Sequence, residues 1–172
     1  MPSLARLRRK NASTHPGMIK YVPRMTNVVL EEIPDRVTLA VEISNCQGNC
    51  IGCHSPFLKD DIGDERTEDV VDALIADNFG INCFLLLGEG RDKEAVRRIA
   101  LHLKNAYPSL ERAIYSGRAS VEDELFELFD YVKVGPYIEE FGPLNKPGTN
   151  QKLFYHRVEI TSRFWRKGVE NR

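Results

Sequence analysis

The spacing of hydrophobic residues changes several times along the chain. In VTLAVEI, residues 37–43, every second position is apolar and β-branched residues are frequent, which predicts a strand with one face in the core. Residues 81–87 are almost continuously apolar, which predicts a strand buried on both faces. RAIYS at 112–116 and YVKVG at 131–135 predict a third and a fourth strand.

Between these strands, apolar residues recur at helical spacing. The first predicted helix starts after Thr67, whose side chain can cap it, and stops before Gly80. Its apolar stripe consists of Val70, Val71, Leu74 and Ile75. A second helix begins near Asp92 and ends before Pro108, which cannot continue it. Its stripe consists of Val96, Ile99, Ala100 and Leu103.

Three further segments complete the pattern. Ser120 and Asp123 form a capping box, which predicts a third helix with the apolar residues Leu125, Phe126, Leu128 and Phe129. NVVLEE, residues 27–32, predicts a strand ahead of the first one. KLFYHRVEI, residues 152–160, predicts a late edge strand.

Alternating strands and helices predict an α/β fold with right-handed crossovers. Open folds of this kind bind ligands at the carboxyl ends of their parallel strands. The cysteine-rich segment after residue 43 and the loops GEG, YSG and KVGP all follow predicted strand ends. The four loops therefore predict a single site.

Charge and hydropathy remove several classes of function. The 24 basic and 25 acidic residues nearly cancel, and aromatic and basic residues are not interleaved on a predicted sheet face, so we expect no nucleic-acid partner. The longest apolar runs are far shorter than the roughly 20 residues that span a bilayer, so we expect no membrane segment. Residues 1–17 lack a secretory apolar core, which favours a cytoplasmic protein. We expect these residues to form a disordered arm or to follow a misassigned start.

Three of the 4 cysteines, Cys46, Cys50 and Cys53, lie in one short segment. In a reducing cytoplasm, clustered cysteines more often hold a metal or carry out redox chemistry than form structural disulfides. Cys83 lies apart in an apolar segment, where we expect a small buried core residue.

The number of clustered cysteines distinguishes between metal centres. A structural zinc ion takes four ligands, usually as two separated pairs, and this chain offers no second pair. His54 is adjacent to Cys53 and would reach the same ion only with strain. In an iron-sulfur cube each iron needs one outside ligand, so three cysteines leave one iron open. Gly48 and Gly52 would let the loop wrap closely around such a cluster.

The motif C-x3-C-x2-C after a first strand resembles the cluster motif of the radical S-adenosylmethionine enzymes. The sequence CQGNCIGCHSP is similar to the branch that activates glycyl-radical enzymes, and within it to the activating proteins of anaerobic ribonucleoside-triphosphate reductase. The resemblance covers about residues 18–156. It extends to LGEG (87–90), YSGR (115–118), FDYVKVGPYIEEFGPL (129–144) and PGTNQKLFY (147–155).

The resemblance implies a 4Fe-4S cluster on Cys46, Cys50 and Cys53, with S-adenosylmethionine bound to the open iron. It implies reductive cleavage of this cofactor to a 5'-deoxyadenosyl radical, with the electron coming from a flavodoxin-type donor. The radical then removes a hydrogen from a glycine of the reductase, which is the protein substrate. The protein contributes binding, orientation and exclusion of water, and no side chain is assigned a catalytic role.

The resemblance also implies cofactor-binding residues at the other strand ends. Gly88 and Glu89 match the last two positions of a Gly-Gly-Glu turn that binds the cofactor's amino end, but Leu87 replaces the first glycine. Ser116 and Gly117 match an element that contacts the ribose or the carboxylate.

Three further matches have two interpretations each. Lys133 either neutralises the cofactor's carboxylate or is an ordinary surface lysine. His54 either shields the cluster or the adenine, or packs against the Pro-Phe pair that follows it. Asn150 and Gln151 either belong to the family's TNQ element or form a polar turn.

The length of the chain limits the fold. A complete (β/α)8 barrel takes about 250 residues, and this chain has 172. We therefore expect a shortened, open (β/α) partial barrel with mainly parallel strands over residues 18–160, and a tail at 161–172. An open side would admit a macromolecular substrate.

Two other functions stay open. One is activation of another glycyl-radical enzyme, such as a formate-lyase type, although this chain lacks the additional cysteine clusters of some of those activases. The other is a non-catalytic binding module, either zinc-stabilised or an iron-sulfur electron carrier. Such a module would not bind S-adenosylmethionine, and a carrier would have to recruit Cys83 as its fourth ligand.

Overall fold

The computed structural model describes residues 18–165 of the chain. In chain order, the strands and α-helices of this part are β1 (Ile19–Tyr21), β2 (Asn27–Val29), β3 (Thr38–Glu42), β4 (Asp64–Arg66), α1 (Glu68–Asp77), β5 (Cys83–Leu87), α2 (Lys93–Ala106), β6 (Glu111–Tyr115), α3 (Asp123–Leu128), β7 (Tyr131–Val134), β8 (Lys152–Tyr155) and β9 (Val158–Glu159). Short 3-10 helices lie at Pro23–Met25, Pro56–Lys59 and Thr161–Trp165.

Seven of the strands form one mixed sheet in the order β2-β3-β5-β6-β7-β8-β9. The four central strands β3, β5, β6 and β7 are parallel, whereas β2, β8 and β9 pair antiparallel at the two edges. The α/β class is therefore confirmed. The prediction of a mainly parallel sheet holds only for the centre, because half of the pairings are antiparallel.

The antiparallel edges arise where the chain has no crossover helix. Parallel neighbours need a long crossover connection, but residues 135–151, between β7 and β8, contain turns and no helix. Segment 152–160, predicted as one edge strand, is a hairpin instead. Its turn residues His156 and Arg157 have φ angles of 43° and 67°, as a two-residue hairpin turn requires.

The two faces of the sheet are covered differently. The helices pack on one face, where Val71 of α1, Ile99 of α2 and Leu125 of α3 join Val41 and Leu86 in one apolar cluster. The other face, which carries Ala40, Leu85 and Ala113, has no α-helix among the described residues and is covered by irregular segments, including Ile33, Leu144 and Phe164. We call this second face the helix-free face.

The predicted helix starts are confirmed for α1 and α2. Thr67 Oγ1 accepts a hydrogen bond from Val70 N (3.4 Å), and Asp92 Oδ1 accepts one from Ala95 N (3.1 Å). The capping box predicted for α3 is wrong. Glu122 is the residue that precedes α3, and no side-chain cap is formed, because the Glu122 carboxylate is bound by Arg118 and Lys93.

A two-stranded antiparallel sheet of β1 and β4 closes the long loop that carries the cysteines. The β1 segment is joined to the end of β3, since Val22 N donates to Glu42 O and Ser44 N to Lys20 O, both at 3.0 Å. Because β4 follows the loop directly, residues 43–63 are anchored at both ends.

The predicted N-terminal arm lies wholly, and the predicted C-terminal tail partly, outside the described residues. Thr161–Trp165, assigned to the tail by the sequence analysis, form a 3-10 helix, and Thr161 Oγ1 accepts a hydrogen bond from Leu153 N (3.0 Å). The predicted arm at 1–17 and the rest of the predicted tail lie outside the described residues. Among residues 18–165, no helix has the length and apolar character needed to cross a bilayer.

Gly63 is expected to be essential for closing the cysteine loop. Its φ is +85°, and an added Cβ would lie 2.1 Å from Tyr21 O. We expect Gly63→Ala to lower the free energy of unfolding by at least about 3 kcal/mol, because backbone strain adds to a steric clash. Urea unfolding of the purified variants measures the loss.

Gly80→Ala is the matched control. Gly80 also has a positive φ, +92°, but a Cβ there would meet nothing within 4 Å. We expect a loss of only about 1–2 kcal/mol, from backbone strain alone. Equal losses in the two variants would contradict the steric explanation for Gly63.

Candidate functional site

The cysteine loop, residues 44–60, begins at the carboxyl end of β3 and is held by hydrogen bonds across its base. Cys46 N donates to Leu58 O (2.8 Å), and Asn45 N donates to Asp60 O (3.3 Å). Ser44 Oγ donates to Ile62 O (2.7 Å). The segment with the three cysteines is therefore a loop whose two ends are held together beside the ends of the parallel strands.

Within this loop the three cysteines are free thiols, and two of the sulfurs approach one glycine. A Cβ on Gly48 would lie 3.3 Å from Cys46 Sγ and 3.9 Å from Cys50 Sγ. Gly48 N donates to Cys46 Sγ (3.3 Å), and Ser55 N donates to Cys53 Sγ (3.4 Å). N–H donors to sulfur of this kind tune iron-sulfur clusters.

The arrangement of the three thiols differs from that of a single-ion site and suits a cluster. Within residues 18–165, no group of three or more His, Cys, Asp or Glu side chains is arranged to hold one metal ion. A cubane makes a different demand, because each cysteine binds a separate iron and the sulfurs need not meet at one point. Three thiols on a glycine-containing loop with N–H donors to sulfur fit that demand.

Cys83 lies at the opposite end of the sheet. It is the first residue of β5, whereas the cysteine loop adjoins the carboxyl ends of the parallel strands. Burial raises the pKa of the Cys83 thiol to about 12, which disfavours the thiolate that metal binding needs. The predicted core position is confirmed, and Cys83 is not placed to become a fourth ligand.

Three of the four predicted site loops share a cavity of about 270 Å³, and the KVGP loop does not line it. It is lined by the cysteine loop and by the ends of β5 and β6, with Cys46, Cys50, Gly88, Glu89, Gly117 and Arg118 among the lining residues. Gly88 has a φ of +114°, and a Cβ there would lie 3.5 Å from Ile43 O. A Cβ on Gly117 would meet nothing within 4 Å, so this glycine borders open space.

The Glu89 carboxylate is already engaged by protein groups. Ser116 Oγ donates to Glu89 Oε2 (2.5 Å), and Arg118 donates to both carboxylate oxygens, from Nε at 3.0 Å and from Nη2 at 2.6 Å. Glu89 was predicted to bind the ammonium group of a cofactor. In this structure its partner is a guanidinium.

Arg118 is the site residue that sequence reasoning missed. Besides Glu89 it holds Glu122, at 2.9 and 2.8 Å, and the two carboxylates raise the pKa of the guanidinium above its usual range, Glu122 more than Glu89. The YSGR segment contains this arginine. Its bidentate partner lies far away in sequence, at residue 89, so only the fold brings the two together.

Lys133 is 8% exposed, which excludes the alternative of a surface lysine. Its ammonium donates to Ser116 O (3.3 Å) and Gly135 O (2.9 Å) and lies 5.6 Å from the centroid of the Tyr115 ring. Burial lowers the Lys133 pKa to about 8, against the opposing influence of Cys50 and Glu32. This buried cation is therefore electrostatically coupled to the cysteine loop.

A row of side chains crosses the helix-free face near the strand ends. Glu42, Leu87, Tyr115 and Lys133 are register partners on successive strands. Burial, with a smaller contribution from Glu32, raises the pKa of Glu42 to about 7. Sequence alternation alone assigns Glu42 only to the face opposite Val41, without indicating this environment.

His54 does not line the cavity that contains Arg118. Its ring packs against Tyr137, with ring centroids 5.1 Å apart and an interplanar angle of 53°. His54 lines a separate cavity together with Cys53 and Gln151. The predicted site residues are thus divided between two cavities, and Ser116 and Lys133 line neither of them.

Comparison with known proteins identifies no neighbour: no family model matches the chain, and no curated protein or solved structure matches it either. The function is therefore argued from the residues of the site.

Glu42→Gln is expected to stabilise the protein at pH 8 by about 1–2 kcal/mol, allowing for solvent screening. The folded-state pKa of about 7 lies above the ordinary 4.5, so the stability present below pH 4.5 is lost as pH rises through 7. The gain from the substitution should therefore shrink at pH 5. Urea unfolding at both pH values measures it.

Glu140→Gln serves as the control for this experiment, because Glu140 is an exposed carboxyl. We expect its effect on the free energy of unfolding to be the same at pH 5 and pH 8. A pH-independent effect of Glu42→Gln would show that the Glu42 carboxyl titrates normally.

Proposed function

We propose that this chain is an iron-sulfur activase of the radical S-adenosylmethionine superfamily that acts on anaerobic ribonucleoside-triphosphate reductase. The observation that carries the proposal is the shared cavity, in which Cys46 and Cys50 lie together with Glu89 and Arg118. Thiols for a cluster thus adjoin an acidic and a basic side chain. The two side chains already pair with each other, so an amino-acid ligand would meet the Glu89 lone pair that Arg118 leaves free.

The proposed reaction uses one electron and one hydrogen atom. A 4Fe-4S cluster on Cys46, Cys50 and Cys53 would supply an electron, received from a flavodoxin-type donor, and an open iron. S-adenosylmethionine bound beside these three cysteines would supply reductive cleavage to methionine and 5'-deoxyadenosine, and the hydrogen atom gained by 5'-deoxyadenosine would come from a glycine of the reductase.

The side chains of this chain bind and orient the cofactor in the proposed mechanism. Lys133 has three N–H donors and uses two of them on backbone carbonyls, which leaves one for the cofactor's carboxylate. Ser116 and Arg118 hold the Glu89 carboxylate in place. Glu89 accepts the cofactor's ammonium only through an oxygen lone pair that Arg118 leaves free. Gly88 and Gly117 line the cavity beside these groups.

The finer fold assignment is part of this proposal. We propose that the four central parallel strands are the remaining half of a shortened, open (β/α) barrel. All three described α-helices pack on one face of the sheet, as they do around a barrel, whereas a doubly wound sheet has helices on both faces. The helix-free face would correspond to the barrel interior.

The partners and the location follow from the same proposal. A glycyl-radical reductase would be the protein substrate, a flavodoxin-type protein would donate electrons, and a reducing cytoplasm would preserve the three thiols. The position of Cys83 at the far end of β5 disfavours a four-cysteine electron carrier.

Anaerobic reconstitution with iron and sulfide tests the proposal. Electron paramagnetic resonance of the dithionite-reduced protein should show a reduced cubane, and its spectrum should change when S-adenosylmethionine is added, because the cofactor binds the open iron. Uptake of zinc, or a cluster whose spectrum ignores the cofactor, would favour the non-catalytic binding module.

Cysteine variants identify the ligands in the same experiment. We expect Cys50→Ala to lose most of the reconstituted cubane signal, because one iron loses its thiolate. Cys83→Ala is the matched control, since Cys83 is fully buried in the core, and it should retain the signal. Loss of the cluster in the Cys83 variant, with the fold intact, would contradict the assignment of the three loop cysteines.

Lys133→Met is expected to weaken binding of S-adenosylmethionine about tenfold or more, since a charge-assisted hydrogen bond is lost from a buried site. Titration of the cofactor against the reconstituted protein, followed by the change in its paramagnetic resonance spectrum, measures the dissociation constant. Lys152→Met is the control, because Lys152 lies on the surface and pairs with Glu159. Unchanged affinity in the Lys133 variant would exclude this residue from the cofactor site.

A further inference from the structure

A second cavity, of about 350 Å³, lies on the helix-free face of the sheet. Residues 53–55 of the cysteine loop form one side of it, and Tyr115 and Gln151 line it from the sheet. Tyr137 and Phe164 add aromatic surface. A molecule bound in this cavity would therefore lie against the cysteine loop.

Gln151 is the one buried residue among those that line this cavity. It is 6% exposed, and its backbone N–H donates to Thr149 Oγ1 (3.2 Å). Within residues 18–165, its side-chain amide makes no hydrogen bond. A buried amide normally finds a partner, so this group indicates a ligand.

The residues next to Gln151 fasten the turn through part of their polar groups, although within residues 18–165 the buried Asn150 Oδ1 has no partner. Thr149 Oγ1 donates to Gly142 O (3.3 Å), and Asn150 Nδ2 donates to Pro136 O (2.9 Å). Of the three residues in the TNQ segment, two thus fasten the turn, and the third points its unused amide along the cavity wall.

The backbone at Gln151 is held in one position. A Cβ on Gly135, which has a φ of +104°, would lie 3.0 Å from Gln151 Cα and 3.2 Å from Asn150 O. The glycine therefore lets the turn pack directly onto the end of β7. The attachment point of the Gln151 side chain is therefore fixed, which limits the backbone freedom lost on binding.

The chemistry of the cavity favours a polypeptide main chain. A primary amide offers one acceptor and one donor group without charge, and these match the N–H and C=O of a peptide unit, both of which need partners when buried. The carboxylates of Glu31 and Glu32 also line the cavity and disfavour an anionic ligand.

We infer that this cavity binds the main chain of the polypeptide segment that carries the reactive glycine, with the Gln151 amide pairing with one of its peptide groups. The inference rests on the proposed function and adds the residue that positions the protein substrate. Gln151 lies beside Cys53 in the cavity, so the bound segment is held next to the ligand loop. Gln151 is thus a substrate-positioning residue rather than part of the cofactor site.

Gln151→Met tests this inference, because methionine nearly preserves the volume of the side chain and removes the amide. The reconstituted wild-type protein and the variant are assayed twice. Glycyl-radical formation is measured against the concentration of full-length reductase, and 5'-deoxyadenosine release is measured against the concentration of S-adenosylmethionine. We expect the KM for the reductase to rise about tenfold, as for the loss of one or two hydrogen bonds, without a parallel rise in the KM for S-adenosylmethionine.

Asn105→Ala, which removes an exposed amide from α2, is the control and should leave the KM for the reductase at the wild-type value. Thermal unfolding checks the fold of each variant. Should Gln151→Met fail to fold, Gln151→Glu replaces it, since it keeps the shape and loses the donor.

The outcomes separate the two proposals. An unchanged KM for the reductase, or a rise confined to the KM for S-adenosylmethionine, overturns the inference and leaves the proposed function standing. Absence of cofactor cleavage in the reconstituted wild-type protein overturns the proposed function, and the inference with it.

Discussion

Closure of the cysteine loop onto the end of β3 is the constraint on which the rest of the site depends. Two backbone hydrogen bonds at its base, from Cys46 to Leu58 and from Asn45 to Asp60, are supported by the pairing of β1 with β4. A loop with three unbridged thiols has little apolar surface of its own to bury. Its position beside the other strand ends is therefore set by backbone pairing, and residues of the loop line both cavities.

Ionisable side chains lie on and beside the helix-free face, although burying their charged forms costs free energy. Glu42 and Lys133 lie in one row across the sheet. Burial raises the pKa of Glu42 and lowers the pKa of Lys133, so it favours the neutral form of each side chain. Neither shift helps the folded state, because the charged forms must be desolvated. Ionisable groups whose pKa is strongly shifted by burial are more typical of functional sites than of structural cores. The cofactor proposed for this site would partner Lys133 and reduce that cost.

Much of the fold could be predicted from hydrophobic periodicity and capping residues. The four parallel strands, the two longer helices and the caps at Thr67 and Asp92 follow from patterns within a few residues of each other. The prediction for the start of α3 was wrong because Glu122 is bound by Arg118 and Lys93. The late hairpin was taken for one strand, since its turn has no glycine and instead places His156 and Arg157 at positive φ.

By itself, the sequence determined which residues are candidates for the chemistry: three cysteines at C-x3-C-x2-C spacing, and the glycines and polar residues that follow each strand. Local spacing suffices for this because ligand loops and strand periods are short-range properties. Only the tertiary structure decided how these residues are partnered. Arg118 meets Glu89, Lys133 is buried beside Tyr115, and Gln151 keeps an unused amide. Such contacts depend on strand order and register, which bring distant segments together and which no local pattern encodes.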